Sequence, residues 1–438
     1  MKPWIGLLLL TAPSWAAWRA GASAVKLTPS EAVWMAGYAA RTKPSEGVLQ
    51  DIWAKALALE DETGAKAVVV TLDLVGIRAE MAKEVADTAN RKHGLPRDRV
   101  WFNASHTHSA PLVKGHGNAY ELGEYASRQG PVLDRYRTFV SARISEAIDK
   151  AVAALAPATL HFEQSLAGFA VNRRRVGHRE YPGPVDHDVP VLIAKNGEGK
   201  PMALLFGYAC HNTVLSDYLI NGDYAGFAQE ALEKRYPGAV ALFVQGAGAD
   251  SNPLPRRTVE LARRYGATLA DAVAEVVSGK PKPVTGPLKT AFEQVDLKFA
   301  GPVSKAEWEK RSASGQAQER KHAARMLETV EKEGKLRETY PYPVQVWRFG
   351  TGPTIFTFGG ELVVDYALRI KAKYGWDTTW VAGYSNDVFA YIPSLRVLKE
   401  GGYEGGGAML FGSLPGPWAD DVEERIASAA DRVAARTR

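Results

Sequence analysis

One cysteine, Cys210, is all the thiol chemistry that 438 residues contain, so no internal disulfide can brace this chain. Its stability then rests on a core and, where one is bound, on metal; a lone buried cysteine packs as a small apolar side chain. A basic tail or arm is also missing. The net charge of +5 is spread along the chain, which argues for a solvated mixed-charge surface and against a nucleic-acid partner. No apolar stretch is long enough for a membrane anchor. "WIGLLLL" near the start is too short to cross a bilayer and is followed by small residues at Ser14, Ala16 and Ala17. Residues 1–17 therefore read as a removable secretory signal, and the expected location is secreted or periplasmic, with no transmembrane anchor after signal removal. Internal repeats, low-complexity linkers and a clear domain boundary are absent, so residues 18–438 read as one domain.

What is present is a chain 46% hydrophobic, enough to bury a large core. Strand-like and helix-like runs alternate. "AKAVVVTLDLVG" (65–76), "VWFNA", "PMALLFGYAC", "AVALFVQG", "PTIFTFGG" and "TTWVAGY" read as strands. Helical periodicity marks 79–94, the stretch "VLDRYRTFVSARISEAIDKAVAAL", 223–236, 256–278 and 362–374. This alternation predicts an α/β fold, a mixed layered sheet with helices on its faces. Residues 158–200 read as β-rich and irregular. Residues 304–338 read as a charged helical insertion with little apolar face, on which His322 is expected at the surface.

Ligands of open α/β sheets bind beyond the carboxyl ends of strands, where loops converge. The strand ends here carry Asp73, His106 and His108, His211, Asp250 with Ser251, Glu361, and the segment "SNDVFAY". Two neutral imidazoles and a carboxylate, with one position left for water, form a usual set for catalytic Zn2+. His106, His211 and Glu361 supply that set, although H-x-H alone is a weak signal. His93, His116, His161, His178 and His187 lack such placement and read as structural or surface residues.

Several motifs occur together in a specific order: "WRAGASAVKLTPSE", "ASHTHSAP", "VNRRR", "YACHNT", "GGELVVDYALRIK", "SNDVFAY" and "GGYEGG". In this order the sequence resembles the catalytic domain of neutral/alkaline non-lysosomal ceramidases, zinc amidases that cleave the N-acyl bond of ceramide. The resemblance implies a catalytic domain over 18–438, a Zn2+ cofactor and an amphiphilic N-acyl substrate met without a transmembrane anchor, by peripheral membrane contact. It also implies zinc ligands at His106, His211, Glu361 and Tyr391, with His108 beside the metal as a hydrogen-bond donor or proton shuttle suited to neutral pH. Tyr403, Arg173 and the adjoining Asn172 are implied in substrate binding or oxyanion stabilisation.

Two departures bear on chemistry. Family members with amidase activity carry G-D-x-S-P-N around a serine nucleophile, where this chain has "GAGADSNP". Ser251 aligns with that serine but Ala249 replaces the aspartate, so either Ser251 attacks, or water does, with Asp250 or His108 taking the proton. The C-terminal β-sandwich of full-length ceramidases is not expected here. Gly-rich "EGGYEGGGAMLFGSLPGPW" reads instead as a wall or lip of the cleft, before the amphipathic helix "DDVEERIASAADRVAARTR". An ester hydrolase and a non-catalytic periplasmic binding protein are the rival readings.

Overall fold

The computed structural model describes residues 18–115, 126–176, 180, 182–301, 304–314 and 316–438. The expected signal segment, His116 and His178 lie outside them. A large sheet runs in the spatial order Val240–Gln245, Pro201–Tyr208, Asp188–Lys195, Ala156–Leu166, Trp18–Lys26, Trp53–Asp61, Lys66–Leu72, Val100–Ala104, with Lys282–Val284 added alongside Ala156–Leu166. This order folds back on itself. Outward from the middle, each half has two antiparallel pairings and then one parallel pairing. Each parallel pairing is joined by a crossover helix, Ala79–His93 in one half and Asp223–Arg235 in the other, and each half closes with a long helix, Ala126–Ala153 or Val259–Ser278. The topology is thus duplicated without a repeat in the sequence. Within the sheet the halves are joined by three residue pairs, Trp18–Ala20 against Ala156–Ala158.

Local sequence explains the elements. Lys66–Leu72 is apolar on both faces because its helices and the interior cover both. The helix Ala79–His93 buries Met81, Val85 and Ala89 on one stripe and stops at Gly94, whose φ of 66° ends the helix in the left-handed region. Inside, Leu57, Val69 and Trp101 of one half meet Leu160, Leu205 and Leu242 of the other. The same cluster takes Trp347, Ile355 and Trp380 from a second, four-stranded sheet formed by Leu288–Lys298, Thr339–Phe349, Thr354–Phe358 and Thr379–Ala382. Helices Val364–Tyr374 and Val422–Ala435 cover the far face of that sheet through Ile370, Ile426 and Val433. The architecture is the mixed, layered α/β arrangement that the alternating pattern predicts.

Bridges Asn103–Ser385 and Gly246–Ala382 gather the carboxyl ends of three parallel strand pairs. Asn103, fully buried, donates to the carbonyls of Gly383 and Gln245 and accepts from the Gln245 N–H. Such a satisfied buried amide fixes a geometry that apolar contacts alone would leave slack.

The charged region forms two helices, Lys305–Ser314 and Ala317–Glu333. Its expected surface character needs one correction: Trp308, Ala323 and Met326 make a small core of their own, and His322 is buried. The His322 ring lies edge-on to Trp308, and its Nε2 bonds the Leu414 carbonyl. A pattern dominated by Lys, Arg and Glu hides such a small apolar seam.

Candidate active site

His106 follows the strand Val100–Ala104, and His211 follows Pro201–Tyr208 in the other half. Glu361 and Tyr391 come from the second sheet's side, as register partners in a two-residue parallel bridge. All four converge. His106 Nδ1 bonds the Val75 carbonyl at 2.6 Å, and His211 Nδ1 bonds the Gly248 carbonyl at 2.9 Å. A carbonyl only accepts, so both Nδ1 atoms carry the proton and both Nε2 atoms carry a lone pair. Each Nε2 lies 3.2 Å from Glu361 Oε2, and Tyr391 Oη lies 3.3 Å from His211 Nε2.

Lone pairs facing a carboxylate repel unless a proton or a cation sits between them. Burial, reinforced by Arg173, pushes His211 down to about 4, so at neutral pH it is not an imidazolium. Burial alone would raise Glu361, but His106 and His211 outweigh it and hold the carboxyl well below its ordinary range. This donor set is complementary to a cation. Two imidazole nitrogens, a carboxylate and a phenol, with backbone carbonyls orienting both rings, fit a four-coordinate divalent ion. His106, His108 and His211 also place ligand nitrogens within 4.8 Å of one another, so a third imidazole stands at the same point.

The backbone is held tightly around this cluster. His106 adopts φ 61°, Tyr384 φ 49° and Asn386 φ 66°. Left-handed conformations of this kind cost a side-chain-bearing residue about 1–2 kcal/mol each. The His106 N–H donates to the Leu74 carbonyl, and the Asn386 N–H to the Phe102 carbonyl, which keep those turns in place.

The other expected residues divide into two groups. His108 Nε2 lies 3.1 Å from His106 Nε2, while its buried Nδ1 has no partner among the described residues. Burial, with His106 and His211 adding to it, pushes His108 well below its usual value. Tyr403 is half exposed, with its ring 5.2 Å from that of Tyr391. Arg173 donates to Tyr391 Oη at 2.9 Å and to Glu404 at 2.6 Å.

Asn172, Asp250 and Ser251 sit behind this group. Asp250 accepts from the Val364 N–H at 2.9 Å and from Asn172 Nδ2 at 3.0 Å, so both oxygens are engaged, and burial raises its carboxyl to about 6. The Asn172 amide is also committed, to the Pro184 carbonyl and the Arg174 N–H. Ser251 lies in a short strand paired with Ala170–Asn172. Its carbonyl accepts the His211 N–H, and its buried Oγ has no partner among the described residues. Asp73 bonds Gln229 and the Trp53 N–H and stands apart from the cluster.

Sequence reasoning missed Tyr384 and Gly37. Tyr384 packs its ring 4.6 Å from that of His106, with its buried hydroxyl unpartnered. Gly37, at φ 95°, lies under His108, where a Cβ would come within 2.5 Å of the ring. Only the glycine itself signalled such a close approach. The cavity in front of the cluster measures about 120 Å³. Glu361, His106, His108 and Tyr391 form its polar end, and Phe389, Met409, Phe411 and Leu414 its apolar end. The Gly-rich segment therefore does form a wall of the cleft.

The sequence profile described as neutral/alkaline non-lysosomal ceramidase, N-terminal, matches residues 19–311. The chain belongs to this ceramidase family. Neutral ceramidase A of Dictyostelium discoideum is 27% identical over 225 residues, 48% of this chain and 30% of that protein. Neutral ceramidase of Pseudomonas aeruginosa is 26% identical over 238 residues, 50% of this chain and 34% of that protein. The matched stretch thus spans about a third of each relative. The crystal structure of the Pseudomonas aeruginosa neutral ceramidase superposes with a TM-score of 0.76 at 21% identity, covering 96% of this chain and 75% of that one. A ceramidase complexed with C2 gives 0.74 at 19% identity, covering 95% and 76%. At these identities the superpositions establish the ceramidase fold. No helix among the described residues is long and apolar enough to cross a membrane.

Proposed function

We propose that this ceramidase-family chain is an exported, zinc-dependent hydrolase that cleaves the amide bond of an N-acyl lipid such as ceramide, releasing a fatty acid. One observation carries the reading: two imidazoles, each oriented by a backbone carbonyl, turn their Nε2 lone pairs onto the same Glu361 oxygen. His106, His211, Glu361 and Tyr391 hold the ion. Zn2+ in such a set supplies a Lewis acid that polarises a carbonyl and makes water more acidic.

The chain's own groups do the rest. Arg173 fixes the Tyr391 phenol, and Tyr403 stands at the mouth to meet the substrate oxygen. His108, neutral and with a vacant Nδ1, accepts or returns a proton. Phe389, Met409 and Phe411 receive an acyl chain and exclude water. Two attackers are weighed: the Ser251 hydroxyl, unpartnered among the described residues, and water activated by His108. Asp250, with both oxygens engaged, positions the loop. Activity retained in Ser251→Ala assigns the attack to water, and activity lost with metal content intact assigns it to Ser251.

The test of the whole reading is zinc content together with hydrolysis of N-acylsphingosine and of an O-acyl analogue, for the wild type and His211→Ala. About one zinc per chain and amide turnover, both lost in the variant, are expected. An active, metal-free protein would overturn the proposal, ester-only turnover would move it to an esterase, and ligand binding without turnover would make it a binding protein.

A further inference from the structure

A second cavity, of about 590 Å³, lies between the helix pair and the second sheet, within the size range of small-molecule sites. Its floor is apolar, with Phe299, Trp308 and Leu336, while Lys298, Lys305, Lys335 and Arg337 ring it against a single acid, Glu338. Lys298 and Lys335 have no ion-pair partner among the described residues. Lys305 reaches Glu309 only at 3.8 Å, and Arg337 lies 5.2 Å over the Tyr340 ring. Trp308 is 2% exposed, yet its indole N–H has no acceptor among the described residues. A buried donor without an acceptor is uncommon and points to a group that brings one.

We propose that this cavity binds one long-chain carboxylate, a single-chain anionic amphiphile taken from solution. The tail covers Phe299 and Leu336, the headgroup lies among the cations, and an acceptor oxygen comes within reach of the Trp308 N–H. Charge complementarity selects the anion. A neutral lipid would leave the ring of cations uncompensated, and an acidic peptide would leave the apolar floor bare. The site is separate from the histidine cluster and does not depend on that cluster being catalytic.

Equilibrium dialysis of the full-length chain with labelled myristate, kept below its micellar concentration, tests the assignment. The double variant Lys298→Glu with Lys335→Glu changes only exposed side chains and is expected to weaken binding by about tenfold or more. Trp308→Phe, which keeps the ring packing but removes the N–H, is expected to weaken it about fivefold. Tyr403→Ala with Phe411→Ala, in the other cavity, leaves this affinity within about twofold. Unchanged affinity in the lysine double variant, tetradecanol bound as tightly as myristate, or binding to anionic phosphatidylglycerol vesicles without binding of monomeric myristate would each overturn the assignment.

Discussion

Gly37 shows how narrowly the chemistry is held at the scale of single residues. Its missing Cβ leaves the room that the His108 ring occupies, and its φ of 95° is unsuited to other residues. In Gly37→Ala the imidazole must shift while His106, His211, Glu361 and Tyr391 stay in place. The expected result is kcat lower by about 10- to 100-fold with zinc content unchanged; full activity would remove His108 from the mechanism. At this scale the sequence was informative where function needs a chemically distinctive side chain. His106, His211 and Glu361 stand at strand ends and could be named, whereas Tyr391 needed the family resemblance. Tyr384 and Gly37 were silent, because an aromatic and a glycine have many structural uses. The commitments of Asp250 and Asn172 were equally invisible, since hydrogen bonds between residues 78 apart leave no local pattern.

At the scale of elements, the crossover helix Asp223–Arg235 has a buried carboxylate at its first residue. Asp223 accepts from the N–H groups of Val214, Leu215 and Tyr224, yet burial prevails and raises its carboxyl to about 6 from an unfolded value of 3.8. Between those values the folded chain binds more protons than the unfolded one, so this group's contribution to stability falls as pH rises from about 4 to about 6 and is level above. Urea titrations of wild type and Asp223→Asn should therefore show the wild type losing ground across that window, by on the order of 3 kcal/mol. A pH-independent difference between the two would mean that Asp223 titrates normally. Most elements were legible because their patterns were clean, as in the apolar run Ala67–Val70 within the strand Lys66–Leu72. The exception is the helix pair. Gln318, His322 and Arg325 direct side chains to the carbonyls of Leu410, Gly412 and Leu414, so a segment that looked like a solvated insertion is anchored to the cleft wall.

For the molecule as a whole, the four proposed ligand residues come from both halves of the large sheet and from the second sheet's side. The two halves of the large sheet share three residue pairs and buried hydrogen bonds such as that from the Gln245 N–H to Asn103, and the second sheet meets them through apolar contact, two isolated bridges and bonds such as that from Asn103 to the Gly383 carbonyl. An ion bound only in the folded state stabilises by mass action, by about 4 kcal/mol at a thousandfold excess over Kd. Calorimetry of zinc-loaded and chelated protein should show the melting temperature drop by several degrees on chelation, and His211→Ala should be insensitive to the chelator. Equal melting temperatures for loaded and chelated wild type would argue against a shared ion.

The duplicated topology has an uneven use. In the first half the imidazole follows the outermost strand, Val100–Ala104; in the second it follows the inner partner, Pro201–Tyr208. Near-duplicate scaffolds thus contribute unlike positions to one centre, the first half bringing His106 with His108 and the second His211 alone. A folding intermediate with only one half formed would hold an incomplete donor set, so tight metal uptake would report the joining of the halves rather than the formation of either.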